Sequence, residues 1–406
     1  MENPKKLIPV DWDIKKSKGH CRLAHVAQLY GEGLFWLNES VLNETLQNEN
    51  QMKKKSIPEI IIRERLTKDT IENGVTLVNT NWRSLEEWET LFEKKATRLE
   101  EKKKNRVHLL ALGDVGSTVL TALKLLGGDC IDTLGIYDVS PNVCKRWESE
   151  LNQAMYPFDS EAMPEVVILE ESELFACDVF IFCASKGIPK VGDAVKDVRM
   201  AQLEANQGII SSFAKKARES KFDGLFAVVS DPVDPLCKTA FVASNTDESG
   251  EFDGKGLLPE QIQGYGLGVM NGRAVYYAKQ DKKFEMFLSE GRAYGPHGGD
   301  LVIANSIENY DDELSLELTK LAVESNLKTR DLGFKPYVAP AISSAAISIL
   351  LTMRGEWHYS SNFLAGVYMG CKNRTTAHGL EIEFLPLVEK LYKRIETAYV
   401  NLEKLV

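Results

Sequence analysis

The chain has 406 residues and a formal net charge of −10, with 49 lysine and arginine residues against 59 aspartate and glutamate residues. This charge balance argues against a protein whose main ligand is a nucleic-acid backbone. A chain of this length suggests two or three domains and buries a large core without needing disulfides or metals. No apolar run approaches the ~20 residues of a membrane span, and no apolar signal segment follows the first residues, so we expect a cytoplasmic protein.

The first 105 residues form an extension that is rich in charge and poor in glycine. Within it, residues 57–62 (IPEIII) favour a short strand. Residues 83–105 place apolar side chains, Trp88 among them, on one face of a predicted helix that ends in a charged connector. No motif identifies the extension, and we expect an accessory cap or an oligomerisation arm.

From residue 106 onward, short apolar runs alternate with helical periodicity. The predicted strands are 106–112, 134–137, 166–169, 178–184 and 224–229, and the predicted helices between them are 115–126 and 200–218. This alternation is typical of βαβ units, so we predict an α/β fold with a doubly wound parallel sheet. Further along, residues 245–256 predict a surface loop, and helical and mixed segments follow it, including 337–351 and 380–402.

Cysteine and histidine residues give no sign of a metal site. The seven cysteines are widely spaced, with no Cys-x-x-Cys pair, and the six histidines form no His-Glu-x-x-His motif. An odd number of scattered cysteines in a large chain predicts free thiols in a reducing compartment.

A glycine turn follows the first predicted strand of the α/β region. In the dinucleotide-binding pattern Gly-x-Gly-x-x-Gly, the last two glycines fall on Gly113 and Gly116 and the first falls on Ala111. Gly113 would let the backbone approach a pyrophosphate at a helix N-terminus, and Gly116 would let the helix pack tightly on the strand. Asp138 ends the next predicted strand, where a carboxylate accepts from ribose hydroxyls and repels a 2′-phosphate. The pattern therefore predicts NAD rather than NADP, with a tight turn of another α/β fold as the alternative.

A second glycine-rich string, residues 295–300 (GPHGGD), surrounds His297. An irregular backbone of this kind can present an imidazole in a cleft. Histidine exchanges a proton near neutral pH, as reversible carbonyl reduction requires. The alternative is a glycine-rich loop with a bystander histidine.

Residues 106–406, about three quarters of the chain, resemble the lactate/malate dehydrogenase family. The matching segments are the two glycine strings together with 199–206 (RMAQLEAN), 231–234 (DPVD), 264–273 (GYGLGVMNGR) and 340–348 (PAISSAAIS). The resemblance implies a Rossmann domain and an NAD-dependent oxidoreductase that transfers a hydride between nicotinamide and a 2-hydroxy or 2-oxo acid. It also implies a small anionic substrate and a homo-oligomer, either a dimer or a tetramer.

The resemblance assigns roles to individual residues. His297 falls on the acid/base histidine, Arg199 on the lid arginine that polarises the substrate carbonyl, and Arg273 on the arginine that holds the substrate carboxylate. The cofactor-binding positions fall on Gly113, Val115, Gly116, Asp138, Ala184 and Asn206. The implied division is an extension over 1–105, an NAD-binding Rossmann domain over 106–263 and an α+β substrate domain over 264–406.

Three features depart from the family pattern. Met270 stands where the family has the aspartate that orients the histidine, and a thioether cannot accept the imidazole N–H as a carboxylate does. Asp231 replaces a strand-end asparagine; it could pair with His297, act catalytically on a donor group of the substrate, or simply cap the turn before proline. The segment 184–199 is longer than the family loop and contains three lysines, Lys186, Lys190 and Lys196.

These departures leave two further functions open. One is an NAD-binding protein that has lost its chemistry and acts as a sensor or subunit, which the changes at Met270 and Asp231 would explain. The other keeps the fold but uses a metal-dependent, NAD-assisted hydrolase chemistry, with Cys237 and His297 as the nearest candidate metal ligands.

Overall fold

The computed structural model describes residues 7–10, 26–27, 76–80, 82–101, 103–186, 198–364, 366–376, 379–383, 385 and 387–405. The strands are β1 (Leu7–Val10), β2 (Val26–Ala27), β3 (Thr76–Asn79), β4 (Asn105–Leu110), β5 (Ile131–Tyr137), β6 (Glu165–Ile168), β7 (Val179–Phe182), β8 (Leu225–Val228), β9 (Ile262–Gly264), β10 (Arg292–Tyr294), β11 (Val302–Ala304), β12 (His358–Leu364), β13 (Val367–Thr376) and β14 (Gly379–Ile382). The helices are α1 (Leu85–Glu100), α2 (Asp114–Leu126), α3 (Pro141–Asn152), α4 (Val198–Glu219), α5 (Val233–Ser244), α6 (Leu267–Ala278), α7 (Phe287–Glu290), α8 (Asp312–Asp331), α9 (Ser348–Arg354) and α10 (Glu389–Leu405). A π-helical segment (Pro340–Ile347) leads directly into α9.

The predicted doubly wound sheet is confirmed and carries an antiparallel extension. Its nine strands lie in the order β14-β13-β12-β9-β8-β7-β4-β5-β6. The six strands from β9 to β6 are parallel, whereas β12, β13 and β14 are antiparallel. The sheet therefore continues past residue 263, where the sequence predicts a domain boundary, because β9 spans that position.

Alternation along the central strands explains why helices cover both faces of the sheet. Phe180 and Phe182 of β7 point into the cluster that includes α4 and α5, while Val179 and Ile181 of the same strand point into the cluster that includes α2 and α9. All four side chains are buried. A strand buried on both sides reads as a continuous apolar run, and this is the pattern that the sequence shows here.

The end of the N-terminal extension packs on this core. The predicted amphipathic helix is present as α1, and its Trp88 is fully buried, with Leu85 and Leu91 packed against the same cluster. Upstream, β1, β2 and β3 form a three-stranded sheet. The predicted strand at 57–62 lies outside the described residues.

Two segments differ in detail from the sequence pattern. The segment 380–402, predicted as helical or mixed, begins as β14, because Leu380 and Ile382 alternate into the core and pair with β13; helix α10 follows only from Glu389. The polar segment 245–256 is not simply a surface loop, since Asn245 and Phe252 are buried.

The described cysteines and helices bear on two further features of the chain. Six of the cysteines (Cys130, Cys144, Cys177, Cys183, Cys237 and Cys371) are free thiols. Among the described residues, no helix combines the length and the apolar character that crossing a bilayer requires.

Candidate functional site

The glycine turn between β4 and α2 has the close packing that the motif requires. Strand β4 ends at Leu110, earlier than predicted, and Ala111 adopts a left-handed φ of 75°. A Cβ on Gly116 would lie 1.9 Å from the Ala111 carbonyl oxygen, so only glycine fits there. A Cβ on Gly113, in contrast, would meet nothing within 4 Å. Gly113 thus borders open space at the N-terminus of α2, where a phosphate group is favoured.

Asp138 ties the end of β5 to this turn. Its Oδ2 accepts the Leu112 N–H at 2.8 Å, and its Oδ1 accepts the Ser140 N–H at 2.9 Å. Each carboxylate oxygen can accept more than one hydrogen bond. The half-buried carboxylate can therefore still accept from a ribose that lies across the turn.

Asn206 joins the ends of the two strands on the other side of β4. It is buried, its Nδ2 donates to the Asp231 carbonyl oxygen at 2.9 Å, and its Oδ1 accepts the Lys186 N–H at 3.0 Å. The carbonyl oxygen of Ala184 accepts from Ser230 Oγ at 2.8 Å. These residues and the glycine turn flank the point where the strand order reverses, the usual ligand crevice of a doubly wound sheet.

The ring of His297 is held by the backbone carbonyl that precedes α6. Its Nδ1 lies 2.8 Å from the Gly266 oxygen. Because a carbonyl oxygen can only accept, Nδ1 carries the proton and the neutral ring keeps a lone pair on Nε2. The ring nitrogen Nδ1 therefore bonds to the Gly266 carbonyl oxygen and not to Asp231, which the sequence suggested as a possible partner.

Arg273 lies on α6 and is half-buried. Its Nη1 lies 3.2 Å from the Ala322 carbonyl oxygen and 3.4 Å from Met270 Sδ. Burial lowers the pKa of Arg273, and the charges of Tyr277 and Asp231 act in the opposite direction. Among the described residues, no carboxylate lies within 4 Å of its guanidinium group. A half-buried arginine in this state is well suited to bind an anion.

The π-helical segment packs against the start of α6. Ser344 Oγ donates to the Gly266 carbonyl oxygen at 2.7 Å and accepts the Val269 N–H at 2.8 Å. Gly268 allows this approach, since a Cβ there would lie 2.5 Å from the Ser343 carbonyl oxygen. The Gly266 carbonyl oxygen therefore accepts hydrogen bonds from both His297 and Ser344. π-helical turns often occur at functional sites.

The remaining predicted positions are Arg199, Val115 and the three lysines of the segment 184–199. Arg199 is the second residue of α4, and its side chain lies outside the described residues, as do Lys190 and Lys196. Lys186 is described and exposed. Val115 is half-buried in the first turn of α2.

Cys237 does not fit a metal-binding role. Its thiol is fully buried, and burial raises its pKa well above the ordinary value, which opposes the thiolate that a metal requires. Within the described residues, no three His, Cys, Asp or Glu side chains gather as a metal site would need.

Sequence reasoning missed four contributors: Gly266, Ser344, Asp234 and Ser361. Asp234 is fully buried; its Oδ2 accepts the His297 backbone N–H at 3.3 Å and its Oδ1 accepts from Ser361 Oγ at 2.6 Å. The string 231–234 contains Asp234, but nothing in its spacing shows burial. The role of Gly266 lies in its main chain, which side-chain patterns do not report.

Comparison with known proteins finds chains that are similar in sequence and in fold. A probable malate dehydrogenase from Campylobacter jejuni is 25% identical over 283 residues, which cover 66% of this chain and 86% of that protein. L-lactate dehydrogenase 2 from Staphylococcus aureus is 23% identical over 333 residues, covering 74% and 98%. The structure of malate dehydrogenase from Archaeoglobus fulgidus in complex with NADH shares the fold, with a TM-score of 0.59, 18% identity and coverage of 74% and 97%. No family model matches the chain.

Proposed function

We propose that this chain, a relative of the lactate and malate dehydrogenases in sequence and in fold, is an NAD-dependent oxidoreductase of 2-hydroxy and 2-oxo acids. The observation that carries the proposal is that α6 and the residue directly before it position both the His297 imidazole and the Arg273 guanidinium group. Gly266, directly before α6, fixes the His297 imidazole, and α6 itself carries the half-buried Arg273. An imidazole and an anion-binding guanidinium group at one helix suit a small carboxylate substrate.

The residues at the glycine turn fit a dinucleotide. Gly113 borders open space at the N-terminus of α2, where it would admit a pyrophosphate, and Gly116 allows the close helix packing. Asp138 would accept from the ribose hydroxyls and disfavour a 2′-phosphate. Val115, Ala184 and Asn206 complete the proposed contacts. When bound, NAD or NADH would accept or supply a hydride.

The side chains of this chain would do the remaining work. Arg273 would hold the substrate carboxylate through two parallel N–H···O bonds, which a planar guanidinium group suits better than an ammonium. His297 would donate a proton to the developing alkoxide in reduction and remove it in oxidation. Arg199 would stabilise negative charge on that oxygen from the start of α4. Asp231, whose charge acts on Arg273, would then contact a donor group on the substrate.

We also propose the division into domains that the sequence predicts. Residues 106–263 would bind the dinucleotide, and residues 264–406 would supply His297 and Arg273. The resemblance also supports a homo-oligomer, a dimer or a tetramer, in the cytoplasm.

The experiment is an NADH-oxidation assay of the full chain against a panel of 2-oxo acids, for wild type and His297→Ala. We expect turnover by the wild type and a loss of at least about 100-fold in kcat for the variant, as general acid–base catalysis typically contributes this much. Calorimetry should show that the variant still binds NADH, which separates lost chemistry from lost folding. Turnover that persists in the variant would refute the role of His297. NADH binding without wild-type turnover across the panel would favour the non-catalytic alternative.

A further inference from the structure

The acid/base histidine of the proposed function lacks a carboxylate at the position where its relatives are expected to have one. Met270 occupies that position, is buried, and lies with its sulfur against Arg273. The neutral carbonyl oxygen of Gly266 accepts from the ring instead. A carbonyl orients the imidazole, but it stabilises an imidazolium less than a full negative charge does.

A different carboxylate lies beside His297. Asp234, at the start of α5, receives the His297 backbone N–H on one oxygen and the Ser361 hydroxyl on the other. Burial raises the pKa of Asp234 to about 6, while the hydrogen bond from Ser361 and the charge of His297 lower it. The carboxylate is therefore ionised at neutral pH and electrostatically coupled to His297.

The other titratable groups around Asp234 do not replace this coupling. Cys237 on the same helix and Tyr368 across a small adjoining cavity both have pKa values raised well above the ordinary range by burial, so both stay neutral. Lys238 donates to the Gly366 carbonyl oxygen at 2.6 Å, and the charge that raises its pKa is that of Glu403. The charge that acts on Lys238 is therefore that of Glu403, whereas the charge that acts on Asp234 is that of His297.

We propose that Asp234 is a positioning residue for His297: it fixes the glycine-rich loop through the backbone N–H and supplies the negative charge that position 270 lacks. The proposal rests on the proposed function for its catalytic meaning. The electrostatic pairing itself can be measured without turnover.

Asp234→Asn is a clean test, because it removes the charge and keeps the shape. The amide oxygen can accept the His297 N–H, and the amide N–H₂ can donate to Ser361 Oγ, since a hydroxyl both donates and accepts. We expect the NMR titration midpoint of the His297 ring in ¹³C-histidine-labelled full-length protein to move about 1 pH unit lower than in wild type, the usual effect of losing one nearby opposite charge. His297→Ala assigns the signal. Glu248→Gln, which removes an exposed charge, should leave the midpoint unchanged.

The same variant should change the pH profile of 2-oxo acid reduction. Because reduction needs a protonated His297, kcat/KM of Asp234→Asn should be about tenfold below wild type at pH 8, a difference that shrinks as the pH falls toward 6. A merely structural role would lower kcat/KM equally at every pH.

The outcomes separate the two proposals. An unchanged His297 midpoint in a folded Asp234→Asn protein overturns the pairing. A shifted midpoint in a protein without turnover supports the pairing and refutes the proposed function.

Discussion

At the scale of single residues, the two glycines of the turn do different work. Gly116 is required by the fold, because a methyl group there would overlap the Ala111 carbonyl oxygen. Gly113 is not, because its backbone has an ordinary φ of −68° and a methyl group there would enter open space. The fold alone gives no reason for glycine at 113, so a bound phosphate is the better reason.

This difference gives a paired prediction. Gly116→Ala should lower the free energy of unfolding by about 3 kcal/mol, the upper range for overpacking. Gly113→Ala should leave stability unchanged or slightly raised, yet weaken NADH binding at least about tenfold, since the methyl group would occupy the proposed pyrophosphate position. Urea unfolding and calorimetry measure the two effects.

A matched control for these variants lies on α4. Gly208 also borders open space, so Gly208→Ala should raise helix stability by about 0.5–1 kcal/mol without changing NADH affinity. Equal NADH affinity in Gly113→Ala and wild type would contradict the assignment of the turn.

Individual residues could be interpreted from the sequence where glycines stand at a characteristic spacing. The strings around Gly113 and His297 could be recognised because glycine at fixed spacing has few explanations. Asp234 could not, because its importance depends on burial and on Ser361, which is 127 residues away along the chain. Asp231 was recognised as unusual, but the effect of its charge on Arg273 follows only from the folded structure.

At the scale of elements, the segment after α5 joins the extension to the core. Phe252 lies edge-on to Trp82, with ring centroids 6.2 Å apart, and Arg83 Nη2 donates to the Gly256 carbonyl oxygen at 3.0 Å. On the other side, Arg218 at the end of α4 forms two hydrogen bonds with Asp253, at 2.7 and 2.6 Å. The segment thus clamps the start of α1 against α4 and α5.

The ion pair in this segment makes a second prediction. Arg218 and Asp253 are only 23% and 18% exposed, so Asp253→Asn should lower the free energy of unfolding by about 1–2 kcal/mol, in the range of hydrogen bonds to charged groups. Glu248→Gln in the same segment is the control, because this side chain is exposed, and it should cost less than about 0.5 kcal/mol, as exposed substitutions usually do.

The pH dependence of that difference has a definite sign. The Arg218 hydrogen bonds lower the pKa of Asp253, so its stabilisation is present above the unfolded-state pKa and is lost as the pH falls through the folded-state pKa. The gap between wild type and Asp253→Asn should therefore hold from pH 7 to about 4 and close below that. A gap that stays constant down to pH 2 would contradict the ion pair.

Element prediction was accurate where periodicity was strong. Helices α1, α2 and α4 and five of the six parallel strands lie within a few residues of their predicted bounds, whereas the short strand β9 was not predicted. Strand β14 was missed because the alternation of Leu380 and Ile382 is too short to separate from helical spacing. The polarity of 245–256 hid one buried aromatic ring, and a polar segment carries no signal that a single phenylalanine anchors it.

At the scale of the whole molecule, two buried groups act on stability with opposite signs. Burial lowers the pKa of His358 to about 4, so the folded state holds it neutral while the unfolded chain protonates it below about 6.5. This group removes stability as the pH falls from 6.5 through 4. Asp234, whose pKa is raised to about 6, adds stability as the pH falls from 6 toward 3.8, because its buried charge is neutralised.

The last prediction follows from the opposite pH dependences that His358 and Asp234 give to the stability. Each shift corresponds to about 3 kcal/mol, so the two contributions nearly cancel between pH 7 and 4 in the wild type. His358→Gln removes the histidine titration, so its free energy of unfolding should fall by about 3 kcal/mol less than that of wild type between pH 7 and pH 4. The free energy of unfolding of Asp234→Asn should fall by about 3 kcal/mol more than that of wild type over the same interval. Urea unfolding at pH 7 and pH 4 measures both. Since the two variants are expected to diverge in opposite directions, stability curves that run parallel to wild type would show that neither group is buried as the structure places it.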